Sequence, residues 1–282
     1  MPMKIHRPLC FLYLFLALLI ALILPYAAAG EDPGLLRVKC FKNGKADAFL
    51  LRTEHHAVLI DTGETDDAQG ILAYLGEKGI TELDLLILSH FDKRSIGGAR
   101  EILEKIPVRQ ILIPDYEKVS VLAYLVLDKL ESLPAQKVTE KLEMRFDQVR
   151  LKVLPAQNEH YEEDEDNDFS LVVSVLHGAN SFFFAGDIMA RRIGEMSLAG
   201  ELSPHTVIKL PSYGQNTDGL KELLDAVQPR IALISASEKN PPAGAVLADL
   251  EGRGIRWYAT MNGSINLTSD GYQVSVEQNR KP

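Results

Sequence analysis

The stretch Leu83-Asp84-Leu85-Leu86-Ile87-Leu88-Ser89-His90-Phe91-Asp92-Lys93-Arg94-Ser95-Ile96-Gly97-Gly98 decides the fold. It begins as an apolar run rich in Leu and Ile, which predicts a buried strand. It ends in His-x-Asp and then Gly-Gly, a pattern typical of a tight loop that opens a helix. An imidazole and a carboxylate two residues apart at the tip of a strand suit Zn, Mn or Fe. His90 and Asp92 are therefore candidate metal ligands.

Two further apolar strands end in an aspartate. The first runs into Asp61-Thr62-Gly63 and the second, Phe182-Phe183-Phe184-Ala185-Gly186, runs into Asp187. Asp187 could hold a metal ion or serve as the N-cap of a helix over residues 188–198, a position that Asp fills well. Asp187 could fill both roles at once.

These motifs resemble the metallo-β-lactamase superfamily, whose signature Thr/Ser-His-x-His-x-Asp-His-x-Gly-Gly follows a strand. The most similar variant is the hydrolase-like domain of DNA-internalisation competence proteins (the ComEC type), where the loop reads Ser-His-Pro-Asp-x-Asp-His-x-Gly-Gly. His90 and Asp92 match that loop, and the resemblance runs from about residue 35 to 276. It implies an α/β fold, a four-layered αββα sandwich with mixed sheets.

The resemblance also implies roles for individual residues. His90, Asp92 and Asp187 would be the metal ligands, with Asp187 bridging two ions and with Asp92 and Asp187 as the catalytic carboxylates. The residues implied as structural support for the loop are Asp61, Gly63, Gly97 and Gly98.

Four positions depart from the family pattern. Arg94 stands where the family has an aspartate, Ser95 where it has a histidine, and Ser212-Tyr213 where it has a histidine pair. Half of a two-metal site is thereby lost. Because a guanidinium is always charged, we expect Arg94 to replace the lost ion as a counter-ion of Asp92 and Asp187. The alternative is an Arg94 that points to solvent and pairs with nothing.

The sequence is compatible with three functions. The first is a non-catalytic binding or scaffold protein without a cofactor. The second is a phosphodiesterase-like hydrolase with a reduced site for one Zn or Mn ion, so that enzyme activity is uncertain. The third is catalysis that uses another histidine, although no Ser/His/Asp motif stands beside any of them in the sequence; these are His55, His56, His160, His177 and His205.

Composition narrows the class of protein. The chain has 282 residues, of which 46% are apolar, and a formal net charge of −9. This content suits a folded α/β protein with a substantial core. A negative surface repels phosphate backbones, so nucleic acid is disfavoured as a partner. The sequence does not name another partner.

The N-terminus has the features of an export signal. A basic start is followed by an apolar run and by Ala27-Ala28-Ala29, small residues that suit a cleavage site. We predict a signal peptide over residues 1–29 and one domain over residues 30–282, exported to the periplasm or outside the cell. The alternative is a membrane anchor over residues 9–29, which would be the protein's membrane contact. Cys40 would then be the one cysteine of the mature chain, most simply a small buried residue.

Hydrophobic periodicity predicts alternating strands and helices. Among these elements are one continuous strand over residues 137–146 and one helix over residues 116–133.

Overall fold

The computed structural model describes residues 34–161 and 165–278. The predicted leader over residues 1–29 lies outside these ranges. Within them, no helix is both long enough and apolar enough to cross a membrane.

The described chain forms strands and helices in alternation, as the periodicity predicts. The strands are β1 Leu36–Cys40, β2 Phe49–Arg52, β3 Ala57–Ile60, β4 Leu85–Ile87, β5 Ile111–Pro114, β6 Ala135–Val138, β7 Leu142–Phe146, β8 Val149–Leu154, β9 Val172–His177, β10 Asn180–Phe184, β11 Val207–Lys209, β12 Ile231–Ile234, β13 Arg256–Ala259, β14 Ile265–Ser269 and β15 Val274–Gln278. The α-helices are α1 Ala68–Glu77, α2 Lys93–Ile96, α3 Ala99–Lys105, α4 Val121–Leu130, α5 Glu165–Asp168, α6 Ala190–Leu198, α7 Leu220–Val227 and α8 Gly244–Gly252.

The strands of the described ranges form two mixed sheets. The first has the order β15-β14-β1-β2-β3-β4-β5-β6, and the second has the order β13-β12-β11-β10-β9-β8-β7. In each sheet one half is antiparallel and the other is parallel: β3 to β6 run parallel in the first, and β10 to β13 in the second. The parallel strands are linked by helices, as crossover connections require.

Three apolar layers hold these elements together. One lies between the two sheets and includes Leu36, Val38, Phe182 and Phe184. A second joins the first sheet to α1, α3 and α4, and a third joins the second sheet to α6, α7 and α8. The predicted αββα sandwich is confirmed. Cys40 is 1% exposed in the layer between the sheets, as expected of a small buried side chain.

The prediction of one strand over residues 137–146 is wrong. The structure divides this stretch into β6, which pairs with β5 in the first sheet, and β7, which pairs with β8 in the second. Residues 139–141 carry the chain from one sheet to the other. Periodicity cannot detect this change, because it indicates which face of a strand is buried and does not identify the strand that pairs with it. The helix predicted over 116–133 is shorter, since it begins after Ser120, whose hydroxyl accepts the N–H of Ala123 at 3.0 Å.

The carboxyl ends of the central parallel strands meet at one edge of the sandwich. The segment after β4 carries the His-x-Asp loop there, beside the residues that follow β10 and β11. The glycine pair of the loop lets the backbone pass closely: a Cβ on Gly98 would lie 2.5 Å from the carbonyl oxygen of Thr62, and one on Gly97 would lie 2.7 Å from Glu64 Cα. Glycine at both positions thus lets α2 and α3 sit against the segment that follows β3.

We predict that Gly98→Ala destabilises the fold by about 1–3 kcal/mol, because the added methyl group must displace backbone rather than a flexible side chain. Urea unfolding measures the change. Gly70→Ala is the matched control: Gly70 lies in α1 with nothing within 4 Å of an added Cβ, so this variant should gain about 0.5–1 kcal/mol. Equal stability of the two variants would contradict the close approach at Gly98.

Candidate functional site

The loop is fixed at its start by Asp61. One carboxylate oxygen of Asp61 accepts the backbone N–H of Ser89 at 2.7 Å, and the other lies 2.7 Å from the Ser89 hydroxyl. Asp61 has a φ of 57°, a left-handed conformation that Asp tolerates better than most residues. Burial raises the pKa of Asp61 well above its usual range. Asp61 therefore holds the strand end in place. It is not a charged ligand in the cleft, which is the space between the His-x-Asp loop and the segments that follow β10 and β11.

His90 is fully buried behind this strand end. Its Nδ1 lies 2.9 Å from the Ser89 hydroxyl and 3.4 Å from that of Ser95. Its Nε2 faces Asp187 Oδ2 at 3.8 Å, and among the described residues it has no hydrogen-bond partner. Burial lowers the pKa of His90, which favours the neutral imidazole. Ser95, which stands where the family has a histidine, thus contacts His90 through an uncharged hydroxyl group.

A lysine ammonium occupies the centre of the cleft. Lys209, 1% exposed at the end of β11, contacts the carboxylate of Asp47, the carbonyl oxygen of Gly186 at 2.8 Å and Asp187 Oδ1 at 3.2 Å. Burial acts to lower the pKa of Lys209, but Asp47 and Asp187 outweigh it and raise the pKa. The ammonium therefore stays charged, with three oxygen acceptors for its three N–H groups.

Asp187 is held as the charged partner of this lysine. Although burial acts to raise its pKa, Lys209 and His90 bring the pKa to about 2. Its Oδ1 also accepts the backbone N–H of Ser212 at 3.0 Å. The alternative N-cap role of Asp187 is wrong: α6 begins after Met189, whose N–H donates to the carboxylate of Asp168 at 2.7 Å.

Arg94 makes its ion pair with Asp92. Its Nε lies 2.9 Å from Asp92 Oδ1 and its Nη2 lies 3.2 Å from Oδ2, a two-point contact that occupies both carboxylate oxygens. The backbone N–H of Arg94 donates to Asp92 as well, which caps α2. The alternative of an unpaired Arg94 is wrong. The expected pairing with both carboxylates is corrected, since the cation in contact with Asp187 is Lys209.

Tyr213 lies over the guanidinium. The Arg94 Cζ is 4.6 Å from its ring centre and the Lys45 Nζ is 5.2 Å from it, so the ring contacts two cations. The turn that presents Tyr213 is left-handed at three successive residues: φ is 49° at Ser212, 58° at Tyr213 and 68° at Gly214. Tyr213 thus packs against the loop.

The donor set does not fit the metal site that the fold family implies. Among the described residues, no group of three or more His, Cys, Asp and Glu side chains is arranged to hold an ion. His90 Nε2 and Asp187 Oδ2 face each other, but the third expected ligand, Asp92, has both oxygens on Arg94. A stable zinc site takes at least three protein ligands. This cleft offers two, beside a buried ammonium.

Sequence reasoning missed the two residues that matter most here, Asp47 and Lys209. They are 162 residues apart in the chain, and both are nearly fully buried. A signal was present: a lysine inside the apolar strand Val207-Ile208-Lys209-Leu210 must have a buried partner, because unpaired Lys is almost never buried. The identity of that partner required the fold. Burial raises the pKa of Asp47, which Lys209 opposes.

Four other histidines of the described residues lie outside the cleft. His55 and His56 contact Asp147 and Asp84 at 3.1 Å each, at the surface. His177 Nδ1 lies 2.8 Å from the Ser269 hydroxyl, and His205 Nε2 lies 2.7 Å from the Ser174 hydroxyl. The fold therefore creates serine–histidine contacts that no sequence motif indicates.

Comparison with known proteins agrees with this architecture. A profile described as the metallo-beta-lactamase superfamily matches residues 42–237. The chain is 27% identical over 251 residues to the competence protein ComA of Neisseria gonorrhoeae, covering 86% of this chain and 33% of that protein. It is also 27% identical over 251 residues to the ComE operon protein 3 of Bacillus subtilis, covering 79% of this chain and 31% of that protein. The chain spans about a third of the length of these relatives.

A solved structure shows the same fold. The metallo-beta-lactamase fold protein YhfI from Bacillus subtilis superimposes with a TM-score of 0.55 at 12% identity, covering 86% of this chain and all of that one (100%). The profile match, the competence-protein relatives and the shared sandwich agree with the resemblance inferred from the His-x-Asp loop. The chain belongs to the metallo-beta-lactamase superfamily and is similar to its competence-protein (ComEC-type) members.

Proposed function

We propose that this chain is an exported member of the family whose cleft works without a metal ion, in a binding or scaffold role. The observation that carries the proposal is the Lys209 ammonium between Asp47 and Asp187. Export rests on the leader-like N-terminus, and its alternative is an anchor in the same segment.

Charge balance supports a cleft that is complete without an ion. Lys209 is shared by Asp47 and Asp187, and burial raises the pKa of Asp47 toward its neutral form, which leaves the ammonium to neutralise Asp187. Arg94 neutralises Asp92. Burial favours the neutral form of Asp61. Two unit charges about 4 Å apart interact by about 4 kcal/mol at an effective dielectric constant of 20, and a divalent ion doubles that repulsion from each fixed cation. The carboxylates cannot offset it, because each already has a cationic partner.

The second candidate function is the metal-dependent hydrolase with a reduced one-metal site. One observation favours it: His90 Nε2 is buried without a hydrogen-bond partner in the part of the chain that the structure describes, and it faces Asp187 Oδ2 at 3.8 Å. The ligands argue against it, because both carboxylate oxygens of Asp92 contact Arg94 and only His90 and Asp187 are left. Metal content separates the two candidates.

We predict that the purified full chain, equilibrated with Zn or Mn and then desalted, retains well under one ion per chain by elemental mass spectrometry. The reason is that the internal cations repel an ion and Asp92 is occupied. Phosphodiester and β-lactam hydrolysis should be no faster than for Asp187→Ala, the matched control. About one ion per chain, lost in both His90→Ala and Asp187→Ala, would overturn the proposal in favour of the one-metal hydrolase.

We predict that Lys209→Met destabilises the fold by about 3–5 kcal/mol, because it leaves a buried carboxylate without its partner. Urea unfolding measures the loss. Arg253→Met is the control: Arg253 pairs with Asp249 and Asp225 near the surface, so its loss should cost about 1 kcal/mol or less. Adding Asp187→Asn to Lys209→Met should recover part of the stability, since the stranded charge is removed. Similar losses for Lys209→Met and Arg253→Met would argue against Lys209 as the internal cation.

A further inference from the structure

A serine and a histidine form a close pair on the outer face of the second sheet, away from the cleft. Ser174 lies in β9 and His205 lies just before β11; the Ser174 hydroxyl is 2.7 Å from His205 Nε2. The two residues are 31 positions apart in the chain, so the contact is created by the fold.

The hydrogen bonds fix which nitrogen of His205 carries the proton. Its Nδ1 lies 2.7 Å from the carbonyl oxygen of Ser203, and a carbonyl can only accept. Nδ1 is therefore protonated, and the neutral ring presents a lone pair on Nε2 to the Ser174 hydroxyl. Burial lowers the pKa of His205, which favours this neutral form. The ring also packs edge-on against Phe183, with the ring centres 5.1 Å apart. The imidazole is thus oriented as a base toward the hydroxyl.

Both residues line a cavity that a small molecule can enter. Its volume is about 290 Å³, and Lys141, Lys152 and Glu201 also line it. Ser174 and His205 remain 7% and 5% exposed, respectively. The hydroxyl is therefore at the wall of a cavity rather than sealed in the core.

A lysine lines the same cavity from the neighbouring strand. Lys152 in β8 is the cross-strand partner of Ser174 in β9, so both side chains project from the same face of the sheet. Lys152 is held in turn by Glu143 at 3.2 Å. A cation next to a nucleophile can stabilise the negative charge that develops on a carbonyl oxygen under attack.

We infer that Ser174 and His205 form a serine acyl-transfer site, distinct from the cleft of the metal-type loop, for esters with a small acyl group. Such a nucleophile requires a base within hydrogen-bonding distance and a third group that orients the base. Ser174, His205 and the Ser203 carbonyl supply these three parts. The size of the cavity limits the acyl group.

The reaction balances with these groups alone. Ser174 Oγ forms a bond to the ester carbonyl carbon while its proton passes to His205 Nε2. The carbon–oxygen bond to the leaving alcohol breaks, and that alcohol takes the proton from Nε2. Water then attacks the acyl-serine, gives a proton to Nε2, and the proton returns to Ser174 Oγ as the carboxylic acid leaves.

The chain contains a matched comparison. Ser269 and His177 make a similar contact at 2.8 Å, but both residues have 0% exposure and neither lines the cavity of Ser174. A serine–histidine hydrogen bond alone would make the two pairs equivalent. Access to the cavity and the neighbouring lysine distinguish Ser174.

We predict that a fluorophosphonate probe labels the purified full chain at Ser174, located by peptide mass spectrometry. p-Nitrophenyl acetate should give a burst of p-nitrophenol that approaches one per chain. Ser174→Ala should abolish both signals, and His205→Gln should slow labelling about 100-fold or more, because the base is lost. Ser269→Ala should label at the wild-type rate.

Two results would overturn the inference. The first is wild-type chain that is not labelled, or is labelled elsewhere than at Ser174; this test needs no variant to fold. The second is labelling of His205→Gln at the wild-type rate with its circular dichroism unchanged, which would leave the histidine in a structural role only. Chelation of metal ions should change neither signal, so failure here is distinguishable from failure of the proposed cleft function.

Discussion

The structure depends at its centre on the buried ammonium of Lys209. Its contacts join the start of β2, the end of β10 and the end of β11, so one side chain ties the first sheet to the second. Taking an ammonium out of water costs several kcal/mol, and only the surrounding carboxylates and carbonyl offset that cost. The cleft must therefore keep Asp47 and Asp187 in place to fold, whatever it binds. An acidic residue that follows a strand, Asp187, thus has a structural role here that is independent of any metal ion.

Much of the fold was predictable from the sequence, because its signals are local. The apolar run before His90 and the aspartates at strand ends mark where parallel strands terminate. The partition of residues 135–146 between two sheets was not predictable, since alternation gives the face of a strand and not its partner. The pairing of Arg94 with Asp92 lies within two residues and was expected. The pairing of Lys209 with Asp47 joins residues 162 positions apart, and that of Ser174 with His205 joins residues 31 apart; only the folded topology brings them together.

The two candidate sites use opposite physical solutions for buried polar groups. In the cleft, the two cations are paired with carboxylates: Arg94 with Asp92, and Lys209 with both Asp47 and Asp187. At Ser174 the groups are neutral, and a lone pair on His205 remains directed at a hydroxyl beside a cavity. In the functions that we propose, the first arrangement opposes the entry of an ion, whereas the second leaves a reactive group accessible. Replacing metal ligands in a fold therefore does not require that the whole molecule lose the capacity for chemistry.

The turn at residues 212–214 has a consequence for motion. Left-handed backbone costs a residue with a side chain about 1–2 kcal/mol relative to the right-handed form, and Ser212 and Tyr213 both adopt it. The hydrogen bond from Ser212 to Asp187 and the cations around the Tyr213 ring hold the turn in that form. Loss of these contacts would release the stored strain locally, without melting the sheets behind it. If those contacts are lost, we therefore expect this segment to open before the sheets do.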